Sequence, residues 1–138
     1  MIRVLLVDDE RLVCAHLRTI LGTARDIEVV GEAYDGAEAV EAVLRYRPDL
    51  VLIDLQLPDF DGYEVLRRLR ADSRTRAIPC IALSANAMRE DIERGLASGF
   101  ADYWTKPIDF GVFIAALNRL FPAVVTDTAD SAEHAPGE

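Results

Sequence analysis

Acidic and anion-binding side chains follow separate apolar runs of this sequence. Asp8 and Asp9 come directly after the first run, and Asp54 closes the third. Ser84 ends the fourth run, and Lys106 stands just beyond the fifth as the only lysine among 15 basic residues. Carboxylates, a hydroxyl and an ammonium group are what a protein needs to hold a cation together with a phosphoryl group.

Three carboxylates in one shallow pocket repel each other, so their convergence is favourable only with a cation. Hard oxygen ligands and room for water favour Mg²⁺, which usually takes one or two carboxylates and a phosphate oxygen. Asp54 would then be the nucleophile, while the metal, Lys106 and Ser84 hold the phosphoryl oxygens. The alternative is that these acids cap the helices that follow. It accounts well for Asp8 or Asp9 alone, but poorly for five positions at corresponding strand ends.

The elements that must position these residues alternate regularly. Short apolar runs, several continuous enough for strands covered on both faces, are separated by segments with helical spacing. The order βαβαβαβαβα predicts an α/β fold with a five-stranded parallel sheet and helices on both faces. Ligands bind at the edge of such a sheet where the carboxyl ends of the strands meet. The predicted strands are Ile2–Val7, Ile27–Ala33, Leu50–Asp54, Ile78–Ser84 and Phe100–Trp104, and the predicted helices are Arg11–Leu21, Gly36–Tyr46, Gly62–Ala71, Ala87–Ser98 and Asp109–Phe121.

Length and composition indicate one globular domain. The chain has 138 residues, of which 51% are hydrophobic and 28% charged, and at this length a core needs no disulfide or metal. The net charge of −9, from 24 acidic and 15 basic residues, argues against nucleic acid or an anionic membrane as the main ligand. Cys14 and Cys80 lie far apart in apolar stretches, so we expect buried thiols rather than a disulfide or a zinc site.

Neither a secretion signal nor a membrane span is indicated. The opening apolar run is cut off at Asp8, too early for a signal peptide, and no stretch approaches the length of a membrane span. We therefore expect a cytoplasmic protein whose domain covers residues 1–121. Residues 122–138 carry four acidic residues and no Lys or Arg, which predicts a flexible acidic tail or truncated linker, too short for an output domain.

The chain resembles the receiver domains of two-component response regulators over residues 2–121. The segments that carry the resemblance are VLLVDDE at 4–10, LVLIDLQLPDFDG at 50–62, IPCIALSAN at 78–86 and GFADYWTKPI at 99–108. It implies a flavodoxin-like (CheY-like), doubly wound sheet with strand order 2-1-3-4-5. The C-terminal half most resembles receivers of hybrid histidine kinases, whereas the opening resembles regulators that begin with their receiver. A free-standing regulator and a domain excised from a longer protein both stay open, although the starting Met favours the first.

The resemblance also implies a metal site and a phosphoacceptor. Asp54 matches the aspartate that takes a phosphoryl group from a phosphohistidine. Asp9 and Asp54 match the direct carboxylate ligands of Mg²⁺, for which Mn²⁺ could substitute, and Asp8 matches a carboxylate that acts through water. Gln56 matches the position whose backbone carbonyl completes the metal shell.

A conformational switch is implied as well. Ser84 matches the hydroxyl residue that turns toward the phosphoryl group, and Lys106 matches the lysine that contacts it. Pro107 matches a proline that often follows a cis peptide bond. Tyr103 matches an aromatic residue that rotates inward when Ser84 moves, which would change the surface of the fourth helix, fifth strand and fifth helix.

The implied function is a signalling module that catalyses only its own phosphorylation and dephosphorylation. Its partners would be a histidine kinase or histidine phosphotransfer protein and a downstream protein, with no nucleic acid or membrane, and dimers could form on activation. One rival is a phosphatase of the haloacid dehalogenase type, which needs a second acid where this chain has Gln56. A flavodoxin-like cofactor binder would need a phosphate loop where Asp8, Asp9 and Glu10 stand. A binding module that works without phosphorylation is the remaining alternative.

Overall fold

A computed structural model of the chain describes residues 1–122 as five strands that alternate with five helices, in the predicted order. Residues 123–138 of the predicted tail at 122–138 lie outside the described residues. The strands are β1 (Ile2–Val7), β2 (Ile27–Ala33), β3 (Leu50–Asp54), β4 (Cys80–Ser84) and β5 (Asp102–Thr105). The helices are α1 (Arg11–Leu21), α2 (Gly36–Tyr46), α3 (Gly62–Ala71), α4 (Arg89–Ala97) and α5 (Phe110–Leu120).

All five strands are parallel, and their order in the sheet is β2-β1-β3-β4-β5, which confirms the expected topology. Because β2 lies on one side of β1 and β3 on the other, the strand order reverses at β1, and a crevice forms at the carboxyl ends of β1 and β3. Val7 is paired with Ile53, so these two strands end at the same level. The residues that follow, Asp8 and Asp54, are therefore neighbours.

Two hydrophobic clusters hold the helices against opposite faces of the sheet. In β3, Leu50 and Leu52 pack with α1 and α5, while Val51 and Ile53 pack with α2 and α3. All five residues of β3 are buried, because side chains that alternate in direction meet a helical layer on either face. This explains why the central strands are apolar throughout and why polar groups first occur at their ends.

Four elements differ from their predicted bounds by one or two residues. Strand β4 begins at Cys80 rather than at 78, since Pro79 has no N–H to donate to a neighbouring strand. Helix α4 begins at Arg89 rather than at 87, because the side chain of Asn86 accepts a hydrogen bond from the Met88 N–H and holds the preceding loop in a turn. Strand β5 is shifted to 102–105, and α5 is one residue shorter at each end.

Both cysteines are buried free thiols, as predicted. Burial raises the pKa of Cys14 and of Cys80 to about 12, so neither is a reactive thiolate near neutral pH. Within residues 1–122, no helix combines the length and the apolar character needed to cross a membrane.

Candidate functional site

Three charged side chains from three different strands meet at the carboxyl edge of the sheet. The Nζ of Lys106, just beyond β5, lies 2.7 Å from Oδ2 of Asp8 and 3.2 Å from Oδ2 of Asp54. These residues are 98 and 52 positions apart from the lysine in the sequence, so only the fold brings them together. The structure thus groups three of the residues that the sequence singled out. The peptide bond between Lys106 and Pro107 is cis.

The two carboxylates are deeply placed. Asp8 is fully buried, and Asp54 is only 5% exposed. Burial, assisted by repulsion from Asp8, raises the pKa of Asp54 to about 6, against the opposing effects of the Gln56 N–H and Lys106. Asp54 is therefore close to its titration range at neutral pH, and a further positive charge in the cleft would favour its ionised, nucleophilic form.

Lys106 is a partly buried cation held between acids. Burial alone would lower the pKa of its ammonium group, but the hydrogen bond to Asp8 and the charges of Asp54 and Asp8 outweigh it, so that the pKa is raised above its ordinary value. The side chain is 16% exposed, and its Nζ also lies 3.6 Å from a carboxylate oxygen of Glu10. The lysine stays charged and can serve as a fixed cation toward an incoming anion.

The donor set fits a hard divalent cation. Carboxylate oxygens of Asp8, Glu10 and Asp54 lie within 4.8 Å of one another, with a single ammonium group to balance them. Glu10 and Asp54 border a cleft of about 420 Å³ that Asp9, Gln56 and Ser84 also line. Oxygen ligands with excess negative charge and space for water are what Mg²⁺ requires.

Asp9 and Glu10 take different positions at the cleft. Asp9, expected as a direct ligand, is exposed on the wall of the cleft, whereas Glu10 lies in the cluster with Asp8 and Asp54. The Glu10 N–H donates to Oδ1 of Asp8 at 2.9 Å, and this turn directs the third acid back over the site. Sequence reasoning missed Glu10; the only signal was its place as the third acid in the run after β1.

Ser84 and Tyr103, the two residues predicted to form a switch, are connected by two hydrogen bonds through the backbone of Asn86. Oγ of Ser84 accepts from the Asn86 N–H at 3.0 Å, and the Asn86 carbonyl accepts from the Tyr103 hydroxyl at 2.8 Å. Tyr103 is 9% exposed, and its ring packs in the cluster beneath α4. The hydroxyl that lines the cleft and the aromatic ring on β5 are thus connected over a short path.

An apolar groove of about 350 Å³ lies beside the cleft, between α1 and the segment that follows β5. Lys106 lines both the groove and the cleft. Leu12 at the rim of the groove is 86% exposed. The groove is bordered by Leu12, Val13, His16, Leu17, Lys106, Pro107 and Ile108.

The chain is similar in sequence to response regulators. The family model of the response regulator receiver domain matches residues 4–118. The DNA-binding response regulator MtrA of Mycobacterium tuberculosis is 43% identical over 106 residues, which are 76% of this chain and 44% of MtrA. The chain therefore spans less than half the length of this relative.

Solved receiver domains are similar in both fold and sequence. A receiver domain of a Francisella response regulator is 31% identical with a TM-score of 0.78, over 90% of this chain and 99% of that one. The receiver domain of a Pseudomonas aeruginosa sensor histidine kinase is 34% identical with a TM-score of 0.76, over 86% of this chain and 96% of that one. In the second structure a magnesium ion is coordinated in the active site cleft.

Proposed function

The chain belongs to the response regulator receiver domain family, and from that premise we propose that Asp54 is its phosphoacceptor. The observation that carries the proposal is the position of Asp54, a buried carboxylate with Lys106 at 3.2 Å in an acidic cleft. The signalling role is that of a receiver in a two-component system, and the transfer chemistry at Asp54 is our inference. The phosphoryl donor is a phosphohistidine on a histidine kinase or a histidine phosphotransfer protein.

In the transfer, a carboxylate oxygen of Asp54 forms a bond to phosphorus while the bond from phosphorus to the imidazole nitrogen breaks. The electron pair of that bond stays with the imidazole. Lys106 binds a phosphoryl oxygen as a fixed cation, and the Ser84 hydroxyl donates to another. Bound Mg²⁺, which Mn²⁺ can replace, supplies further positive charge to these oxygens, and the residues proposed to hold it are Asp8, Asp9, Asp54 and the carbonyl of Gln56.

Hydrolysis of the phosphoaspartate by water ends the signal and restores the Asp54 carboxylate. While the phosphoryl group is present, Ser84 is drawn toward it, which changes the bonds from Ser84 through Asn86 to Tyr103. The surface formed by α4, β5 and α5 responds, and a downstream protein, or a second copy of this chain, binds the altered surface.

The groove beside Lys106 supports a protein as the phosphoryl donor. It is apolar, it is continuous with the cleft through Lys106, and it exposes Leu12 at its rim. A helix that presents a phosphohistidine to Asp54 would cover this groove and bury that side chain. Both cysteines are free thiols, the usual state in a reducing compartment, which supports the expectation that the transfer takes place in the cytoplasm.

Intact-mass analysis after incubation with Mg²⁺ and acetyl phosphate tests the proposal. We expect one phosphoryl adduct on the wild-type chain and none on Asp54→Ala or in EDTA. Asp35→Ala, which removes an acid of the same type outside the cleft, should be phosphorylated like the wild type. An adduct that survives loss of Asp54 would refute the assignment. No adduct at all would favour a module that works by binding alone.

A further inference from the structure

The loop that carries Gln56 is attached at its apex to a helix from another part of the chain. Both carboxylate oxygens of Asp59 accept hydrogen bonds from the first turn of α2, Oδ1 from the Gly36 N–H at 2.7 Å and Oδ2 from the Ala37 N–H at 2.9 Å. The helix has its own N-cap, Asp35, which accepts from the Glu38 N–H at 2.7 Å. Asp59 is thus a second cap, supplied from 23 residues away, that satisfies the remaining free N–H groups.

Aromatic packing reinforces the same contact. The ring of Phe60 lies against the Cα of Gly36, where a Cβ would come within 2.5 Å of the ring. The guanidinium group of Arg68 also stacks on this ring, at 4.0 Å from its centroid. The absence of a side chain at Gly36 lets the loop approach α2 closely enough for Asp59 to reach both N–H groups.

The base of the loop is fixed by the sheet. The Leu55 N–H donates to the Leu83 carbonyl, and the Gly62 N–H donates to the Leu55 carbonyl, each at 3.0 Å. Between this base and Asp59, the segment 56–58 borders the cleft that contains Asp54. Gln56 is held from one side, since its N–H donates to Oδ1 of Asp54 at 3.1 Å. Beyond Gln56, the position of the segment depends on the attachment of Asp59 to the start of α2.

We propose that Asp59 is a positioning residue for the metal site: by capping α2 it fixes the loop that presents the Gln56 carbonyl to the cation. This inference rests on the proposed Mg²⁺ site. Loss of the cap leaves Asp8, Asp9 and Asp54 in place but frees the segment 56–58. Metal binding must then also order this segment, which costs conformational entropy. The affinity for Mg²⁺ then falls, although Asp59 contacts neither the metal nor the phosphoryl group.

Two measurements on the full chain test the proposal. Calorimetric titration with Mg²⁺ should give a dissociation constant about 10-fold higher for Asp59→Ala than for the wild type, and an intermediate value for Asp59→Asn, which keeps one acceptor oxygen. Hydrogen exchange without metal should be faster in Asp59→Ala for the amides of the segment 55–59, in which every residue except Pro58 carries one. This second readout reports loop order directly and does not depend on activity.

Asp35→Ala is the matched control, because it removes a cap from the same end of α2 without touching the loop. It should weaken the helix start yet leave both the Mg²⁺ affinity and the exchange of 55–59 unchanged. The proposal is overturned if Asp59→Ala binds Mg²⁺ like the wild type, or if Asp35→Ala weakens binding equally. A wild-type chain that binds no Mg²⁺ would instead refute the metal site itself, and the positioning role with it.

Discussion

At the residue scale, the site balances buried carboxylates against one ammonium group. Asp8 and Asp54 have little contact with water, and Lys106 is the cation between them. Burying like charges together is unfavourable, and one lysine compensates it only in part. The site is thus under electrostatic stress at neutral pH, which a divalent cation or protonation of Asp54 would relieve.

Asp54→Asn should therefore stabilise the metal-free protein at neutral pH. The folded pKa of about 6 is above the usual 3.8, so the folded state binds more protons between those values and stability falls as the pH rises through them. Above pH 6 the ionised Asp54 costs on the order of 3 kcal/mol, which the neutral amide removes. Urea denaturation in EDTA should show a gain at pH 7.5 that largely disappears near pH 4. A gain that is independent of pH would contradict this explanation.

The roles of Asp9 and Glu10 can be separated by metal titration. We expect Asp9→Asn to weaken Mg²⁺ binding at least about 10-fold, since it removes a proposed direct ligand. Glu10 is 66% exposed and lies 3.6 Å from Lys106, so its ion pair is weak and Glu10→Gln should change the affinity by less than about threefold. A larger effect of Glu10→Gln would indicate that Glu10, which lies in the cluster with Asp54, contacts the metal directly.

Site residues could be predicted from the sequence where their position depends on the strand ends alone. Asp8, Asp54 and Lys106 follow three strands of a parallel sheet, so the topology brings them together whatever the loops do. The position of Glu10 depends on a turn in which its N–H bonds back to Asp8. The position of Asp59 depends on hydrogen bonds to the start of α2, which is distant in the sequence. No local pattern of residue types indicates such contacts.

At the element scale, the packing of α4 on β5 controls the place of the Tyr103 ring. Gly95 is buried on α4, and a Cβ at this position would lie 2.7 Å from Cδ2 of the tyrosine and 3.2 Å from Cε2. The Tyr103 hydroxyl can donate its hydrogen bond to the Asn86 carbonyl only because Gly95 leaves the space beside the ring free. The element boundaries were predicted well, but this close contact between a helix and an edge strand was not.

Gly95→Ala should displace the ring and lower stability by about 1–2 kcal/mol through overpacking, in spite of the higher helix propensity of alanine. Site-resolved nitration should then modify Tyr103 faster than in the wild type, in which it is buried. Gly111→Ala is the control, because a Cβ there meets nothing closer than 3.5 Å. Equal nitration of Tyr103 in the two variants would show that α4 yields instead of the ring.

At the scale of the whole molecule, the distribution of charge bears on which partners the domain can bind. The chain carries a net charge of −9, and acidic residues cluster at the carboxyl edge of its sheet. The five arginines of α3 and the following loop are partly compensated within the structure, because two carboxylates pair with three of them. Arg67 and Arg68 pair with Glu64, Arg74 pairs with Asp72, and Arg70 donates to the carbonyl of Ile78.

Relatives such as MtrA are DNA-binding response regulators, and this chain matches less than half of the length of MtrA. For this chain we expect no binding to duplex DNA, because its net charge of −9 opposes association with a polyanion. Fluorescence anisotropy in low salt should show no change up to about 100 µM protein, with or without acetyl phosphate.

The double variant Glu64→Gln, Asp72→Asn frees three arginines on one surface and should bind weakly, with an affinity that falls steeply as salt is added. Salt-dependent binding by the wild type would show that the acidic edge does not outweigh the α3 arginines, and nucleic acid would then have to be counted among the partners.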